Sequence, residues 1–203
     1  MKNIENILIQ SLEQVVDEFG KDELAFLALT TKIELPLRDR LAYVLYKKLK
    51  TEGLIVSREW RRVDLAILGE TAPQEVLIEL KAMYTFDAVN ERGYYKKCID
   101  YLFEDIKNAS ELVGKSEDIY GILLVTHPMQ IIPFKFERII KYMPGINGAL
   151  KRLGNQKQVA DVSVDRIDKL LVEGEHTIIK KGTLLGGSAF SIETNVLYWI
   201  IKK

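Results

Sequence analysis

Residues 63–81 read VDLAILGETAPQEVLIELK, two short runs rich in branched aliphatic side chains on either side of a turn-like segment. Both runs, VDLAIL and EVLIELK, have the length and residue types of β-strands. Side chains alternate across a strand, so Val76, Ile78 and Leu80 share one face while Leu77, Glu79 and Lys81 share the other. A hairpin closed by residues 70–73 pairs Gly69 with Gln74, Leu68 with Glu75, Ala66 with Leu77, and Asp64 with Glu79. Directly opposed residues have Cβ atoms about 4.5–5.5 Å apart, and like charges so placed are destabilising unless something offsets the repulsion. A bound cation is the simplest compensation.

Hard ions such as Mg²⁺ favour carboxylate, water and phosphate oxygens and use one or two protein carboxylates while keeping several waters. Asp64 and Glu79 fit that pattern, and the carbonyl of Leu80 is a candidate third ligand. Lys81 cannot ligate while protonated, but it can hold an attacking water or neutralise charge developing on a phosphate. The plainer alternative is an exposed ion pair between Glu79 and Lys81, worth roughly 0–1 kcal/mol, with Asp64 an ordinary solvated residue. Four features together favour the metal site: an aspartate in the preceding strand, a short hairpin, an apolar opposite face and an acidic residue on an upstream helix.

Working outward, LIVSREW at residues 54–60 reads as a third strand before the pair. Upstream of it, Pro36 suits the first turn of a helix whose stripe is Leu37, Leu41, Val44, Leu45 and Leu49, ended by Gly53. Helical spacing also marks residues 4–19, which stop at Gly20, and a short helix is expected over residues 22–29. Downstream, residues 94–112 return to helical spacing, and GILLVTH at 121–127 reads as a buried strand. A further helix is expected over residues 134–143. In the tail, VADVSV (159–164), HTIIKK (176–181) and NVLYWIIK (195–202) look like strands, with a flexible KGTLLGGS segment between the last two.

The order is helix, three strands, helix, strand, then a mixed extension, which predicts an α/β fold with a central mixed sheet flanked by helices. With 203 residues a single domain is expected: N-terminal helices over 1–32, a core over 33–128 and a C-terminal extension over 129–203. No basic start with an apolar stretch and a small-residue cleavage site stands at the N-terminus, and no apolar run reaches the roughly 18 residues of a membrane helix, so a cytoplasmic location without membrane contact is expected. A single cysteine, Cys98, and two distant histidines exclude a disulfide framework and a zinc-finger ligand set, so any metal must be held mainly by oxygen. Lysine and arginine balance aspartate and glutamate, 29 against 29. Strong non-specific coating of nucleic acid is therefore disfavoured, while a local basic groove is still sufficient for DNA.

At Asp64 and Glu79-Leu80-Lys81 the sequence resembles the PD-(D/E)XK nuclease superfamily, whose restriction endonuclease-like core is a helix, three strands, a helix and a strand (αβββαβ). The resemblance covers residues 33–127, with Asp64 as the first motif acid and Glu79-Leu80-Lys81 as the second. Glu34, in IELPLRDRLAYVL, matches the glutamate that family members often add from the first core helix, with Asp39 as the lesser substitute. Val63 stands where the motif name has proline. The resemblance implies Mg²⁺-dependent hydrolysis of DNA, with Mn²⁺ as a substitute ion, by an endonuclease of the restriction or repair kind. In that scheme Glu79 and Asp64 hold the metal, Lys81 positions or activates water, and Glu34 completes the shell or acts through a water. Two cuts in a duplex need two active sites, so a homodimer is an expected partner state. The rival expectation is a non-catalytic nucleic-acid- or protein-binding module that keeps the fold.

Arg58, Arg61 and Arg62 flank Trp60 just before Asp64, a set that can grip phosphates and stack on an unpaired base, or simply solvate a strand edge. Lys96 and Lys97 follow the segment MYTFDAVNERGYY, which can cap the site; they are candidates for DNA backbone contact, although a plain charged helix face explains them as well. His127, before Pro128, is a candidate proton shuttle, but a lone histidine at a strand end is more often structural. Tyr198 and Trp199 are adjacent in a strand and should face opposite ways. Phosphate-loop, dinucleotide and nucleophile-elbow motifs are absent, which disfavours nucleoside triphosphatases and serine hydrolases.

Overall fold

The computed structural model describes residues 4–69, 75–90, 94–113 and 118–203. Helices α1 (Ile4–Gln14), α2 (Glu23–Thr30) and α3 (Glu34–Leu49) lead into strands β1 (Leu54–Trp60), β2 (Val63–Gly69) and β3 (Glu75–Tyr84). A short helix α4 (Thr85–Val89), the long helix α5 (Tyr94–Val113) and strand β4 (Ile119–Pro128) follow. The chain ends with α6 (Met143–Leu153), α7 (Gln156–Glu173), β5 (Thr177–Ala189) and β6 (Ile192–Lys202). All six strands form one mixed sheet in the order β1-β2-β3-β4-β6-β5, in which only β3 and β4 run parallel. The residues after 128 are thus not a separate unit, because β6 completes the sheet on the far side of β4.

Two apolar layers sandwich this sheet. Val76, Ile78 and Leu80 face Leu37, Leu41 and Leu45 of α3 and the N-terminal helix, whereas Ala66, Leu77 and Leu123 face Ile99, Leu102 and Ile106 of α5 and Ile167 of α7. The alternation read from EVLIELK therefore holds, with one difference: both faces of β3 are apolar, and α5 covers the one that carries Glu79. A central strand covered on both sides should be a continuous apolar run, and β4 is buried along its whole length. Gly121 lets α5 lie close to β4, since a Cβ there would sit 2.6 Å from Ile106 Cδ1. Tyr198 and Trp199 do face opposite ways, one into each layer.

Three expectations are corrected. VADVSV is not a strand but part of α7, whose buried residues Val159, Ser163, Ile167 and Leu171 repeat every fourth position. A six-residue window displays its β-branched content and hides that period, and Asn155 caps the helix by accepting from the Gln158 N–H. KGTLLGGS is not a flexible link but lies inside β5. Its glycines serve close approach rather than freedom: a Cβ on Gly182 would lie 2.6 Å from the Tyr198 hydroxyl, and one on Gly186 2.4 Å from the Thr194 carbonyl oxygen. Over residues 134–143 there is a single 3-10 turn (Phe134–Phe136), and the helix starts only at Met143. The expected turn at residues 70–73 and the pair Gly69–Gln74 lie outside the described residues.

Candidate metal centre at a strand fork

Strands β2 and β3 pair antiparallel from Leu68–Glu75 to Leu65–Ile78, in the register read from the sequence. One further step of that register sets Asp64 opposite Glu79. There the ladder stops, while β3 continues to Tyr84 in parallel pairing with β4. Beyond the fork, β3 presents amide groups that no strand receives, and buried amides must find partners. Two carboxylates take them: Asp64 Oδ2 accepts from the Leu80 N–H at 2.9 Å, and Glu34 Oε2, from the first turn of α3, accepts from the Ala82 N–H at 2.9 Å. The fork thus draws Asp64, Glu79, Lys81 and Glu34 to three consecutive residues of one strand.

Glu79 is only 5 % exposed. Burial, then the charge of Asp64 and a hydrogen bond with its carboxyl, push Glu79 up to about 8. Burial also raises Glu34, against the pull of Lys81. Lys81 donates to the Leu80 carbonyl at 3.3 Å and forms an ion pair with Asp105 of α5. Burial opposes its charge, but Asp105, Glu34 and Asp64 outweigh that and hold the ammonium above its ordinary value. Among the described residues no three His, Cys, Asp or Glu side chains are grouped as a metal-binding set. Two carboxylates and the Leu80 carbonyl are nevertheless a donor set of the all-oxygen kind that Mg²⁺ takes when waters complete the shell. A carboxyl pushed up by burial and by a neighbouring carboxylate is also what a cation would relieve.

The arginines divide. Arg58 pairs with Asp39 at 2.9 Å, and Asp39 with Arg38, so Arg58 belongs to an ion-pair network on α3 and β1. Asp39 is accordingly occupied by Arg38 and Arg58, and Arg38 lies between it and Asp64. Arg61 and Arg62 form the β1–β2 turn and line a cleft of about 450 Å³ together with Glu79, Asp105 and Asn108. Both have positive φ, 50° and 75°, as a two-residue hairpin turn requires. Asn-Gly meets that requirement without strain, so two arginines there keep their side chains at the cleft at a backbone cost of about 1–2 kcal/mol each. Trp60 stacks under the Arg61 guanidinium, 4.6 Å from the ring centroid.

No family model, no curated protein and no solved structure matches this chain. The residues of the fork must therefore speak for themselves.

Lys96 and Lys97 are not gathered into the fork. Lys96 lines a cleft with Arg166 and Lys169 of α7, and Lys97 lies over the ring of Tyr101. Residues 83–89 of the supposed cap are the end of β3 and α4, and all seven are buried, so this part packs in the core rather than closing over a site. His127 is buried too, its Nδ1 3.1 Å from Thr85 Oγ1, and burial lowers it to about 4. Sequence reasoning missed Arg38 and Asp105. Arg38 is buried, pairs with Glu59 at 2.9 Å and reaches Asp64 at 3.7 Å. Its signal was a position one helical turn after Glu34. Asp105 flanks the apolar stripe of α5, three residues after Leu102 and four before Ala109, where an acid is unusual enough to be noticed.

Proposed function

We propose that the protein is a Mg²⁺-dependent endonuclease hydrolysing phosphodiester bonds in DNA, of the restriction or repair type. The observation that carries the proposal is the strand fork, where Asp64, Glu79, Lys81 and Glu34 converge on Leu80–Ala82 beside a cleft edged by Arg61 and Arg62. Asp64, Glu79 and the Leu80 carbonyl would hold the ion. When bound, a divalent ion at such a site stabilises charge on the phosphoryl oxygens and lowers the pKa of a bound water.

The chain's own groups have distinct tasks in this reading. Lys81, kept cationic by Asp105, orients the attacking water or meets the negative charge that grows on phosphorus-bound oxygen. Arg61 and Arg62 receive neighbouring phosphates, for which the planar guanidinium offers paired donors. Glu34 fixes the backbone at Ala82 and can order a water of the metal shell. Arg38 holds Asp64 in place while limiting the negative charge of the fork. A double-strand cut takes two copies of such a fork, so a homodimer accompanies the reading if duplex is cut on both strands.

One observation favours the rival, a non-catalytic binding module: Asp64 and Lys81 already have partners in Arg38 and Asp105. Cleavage of supercoiled plasmid and of single-stranded DNA with Mg²⁺ or Mn²⁺ separates the two. Wild type should cut, and Asp64→Asn, Glu79→Gln and Lys81→Met, purified identically, should not. Equal cutting by all four, or none by any, would favour the rival.

A further inference from the structure

The fork has a second neighbour, a pocket of about 240 Å³ at the opposite end from Arg61 and Arg62. Met83 and Tyr84, the residues after Ala82 on β3, form its floor, and Lys32, two residues before Glu34, forms part of its wall. Pocket and fork are therefore joined through two short stretches of chain. Four aromatic rings line it. Tyr84 is fixed from behind, its hydroxyl bonded to the carbonyls of Ala28 and Thr31 at 2.9 and 3.1 Å. Phe86 and Tyr142 stand 5.5 and 5.3 Å from the Tyr84 centroid. Gly145 keeps the room for Phe86, since a Cβ there would lie 2.7 Å from its ring. Tyr94 and Tyr142 are 45 % and 41 % exposed and so stand at the open side.

Polar groups interrupt these apolar walls. Lys32 Nζ reaches the Tyr94 hydroxyl at 3.4 Å, and the buried carboxyl of Asp87 accepts the Tyr84 N–H at 2.9 Å. An occupant should thus be flat, apolar on its faces, and able to offer both donors and acceptors at its edge. A purely apolar guest would take water from Lys32 and Asp87 and leave the rest of their hydrogen-bonding capacity, beyond the Tyr94 hydroxyl and the Tyr84 N–H, unfilled. A cation, the usual guest of aromatic cages, would meet the Lys32 ammonium as well as the Asp87 carboxyl, so the pocket is not built for a positive charge alone. The volume falls below the roughly 300–1,000 Å³ of pockets for drug-sized ligands, which suits one ring system rather than a larger molecule. A nucleobase has these properties, and aromatic stacking with edge hydrogen bonds is how proteins hold a base taken out of its stack.

We propose that this pocket receives one unpaired base of the strand being cut, so that the substrate is single-stranded or locally unpaired DNA rather than continuous duplex. The inference rests on the nuclease reading of the fork. Arg61 and Arg62 would take phosphates on one side of the scissile bond, and the tyrosine pocket would take a base on the other.

The test is binding of a short oligonucleotide carrying one fluorescent aminopurine, single-stranded or in duplex, with Ca²⁺ in place of Mg²⁺. Wild type should prefer the single strand and quench the fluorophore. Tyr142→Ala and Tyr94→Ala, both partly exposed positions, should bind about ten-fold more weakly and lose the quenching, as expected for removing one stacking partner. With an abasic site replacing the fluorescent base, wild type and both variants should bind alike. Unchanged quenching in both variants, or equal affinity for single strand and duplex, overturns the pocket while Lys81-dependent cleavage still stands. Failure of wild type to bind any of these probes, together with no Lys81-dependent cleavage, overturns the nuclease reading itself.

Discussion

Two buried titratable groups sit on neighbouring strands of the same sheet, and the fold treats them oppositely. His127 on β4 is neutral, with burial holding it at about 4, and its Nδ1 is matched by the Thr85 hydroxyl. Glu79 on β3 is also pushed toward neutrality, but its neighbour is a second carboxylate, Asp64. One polar group is at rest with an uncharged partner. The other belongs to a pair of carboxylates that a proton or a cation would relieve, and a pair perturbed in this way is what the proposed metal site would use.

The comparison breaks most visibly in catalysis. Lys81→Met should lower DNA cleavage by about a hundred- to a thousand-fold, the scale of removing one positioned charge-stabilising donor. His127→Gln should change it by no more than a few-fold. A comparable loss in both variants would show that the two buried groups do not differ in role.

A smaller effect should appear in stability. If the fork binds a divalent ion and the unfolded chain does not, Mn²⁺ at about a hundred times its dissociation constant stabilises by ~2.7 kcal/mol. For a chain of this size that raises the melting temperature by roughly 5–10 °C. Scanning calorimetry should show this rise in wild type and His127→Gln, and not in Asp64→Asn. A rise that survives Asp64→Asn would place the ion elsewhere.

How much of this was open to the sequence differs between the two halves of the sheet. The fork was legible because its information is local: the alternation of EVLIELK set Glu79 and Lys81 on one face, and the residue spacing of the hairpin set the register. The pairs Leu68–Glu75 and Ala66–Leu77 are found as read. What was not legible is carried by distant chain. Asp105 and Arg38 reach the fork only once α5 and α3 have packed, and nothing in residues 63–81 indicates that the Glu79 face is roofed rather than open. In the tail the misreadings came from treating composition as conformation: valines in VADVSV suggested a strand, and glycines in KGTLLGGS suggested freedom. A longer window would have found the four-residue period of α7. No window reveals that Gly182 and Gly186 make room for Tyr198 and the Thr194 carbonyl, because those neighbours are eight or more residues away.

Without divalent ions, the two centres should also respond to pH with opposite signs. Glu79 has its pKa raised from 4.5 to about 8, so between those values the folded chain holds a proton that the unfolded chain has lost. Stability contributed by that proton is present in acid and falls as pH rises, with a slope of up to about 1.4 kcal/mol per unit. Glu79→Gln, which keeps shape and neutrality, should remove the slope and be the more stable form near pH 8. Urea unfolding across this range checks it; an unchanged slope in the variant would mean that Glu79 keeps an ordinary carboxylate range.

His127 supplies the counterpart. Its pKa is depressed from 6.5 to about 4, so the unfolded chain takes up a proton first as pH falls, and the stabilisation present at neutral pH is lost on acidification. Between about pH 7 and 5.5 this amounts to ~1 kcal/mol. In His127→Gln the acid-side decline should be shallower by that amount, with the amide still able to meet the Thr85 hydroxyl. Adding Mn²⁺ then sharpens the contrast, because a cation that displaces the Glu79 proton should flatten or reverse the slope at the fork and leave the His127 contribution where it was. If Mn²⁺ altered the His127 contribution equally, the two centres would be coupled through β3 and β4, and the separation into a resting and a waiting group would fail.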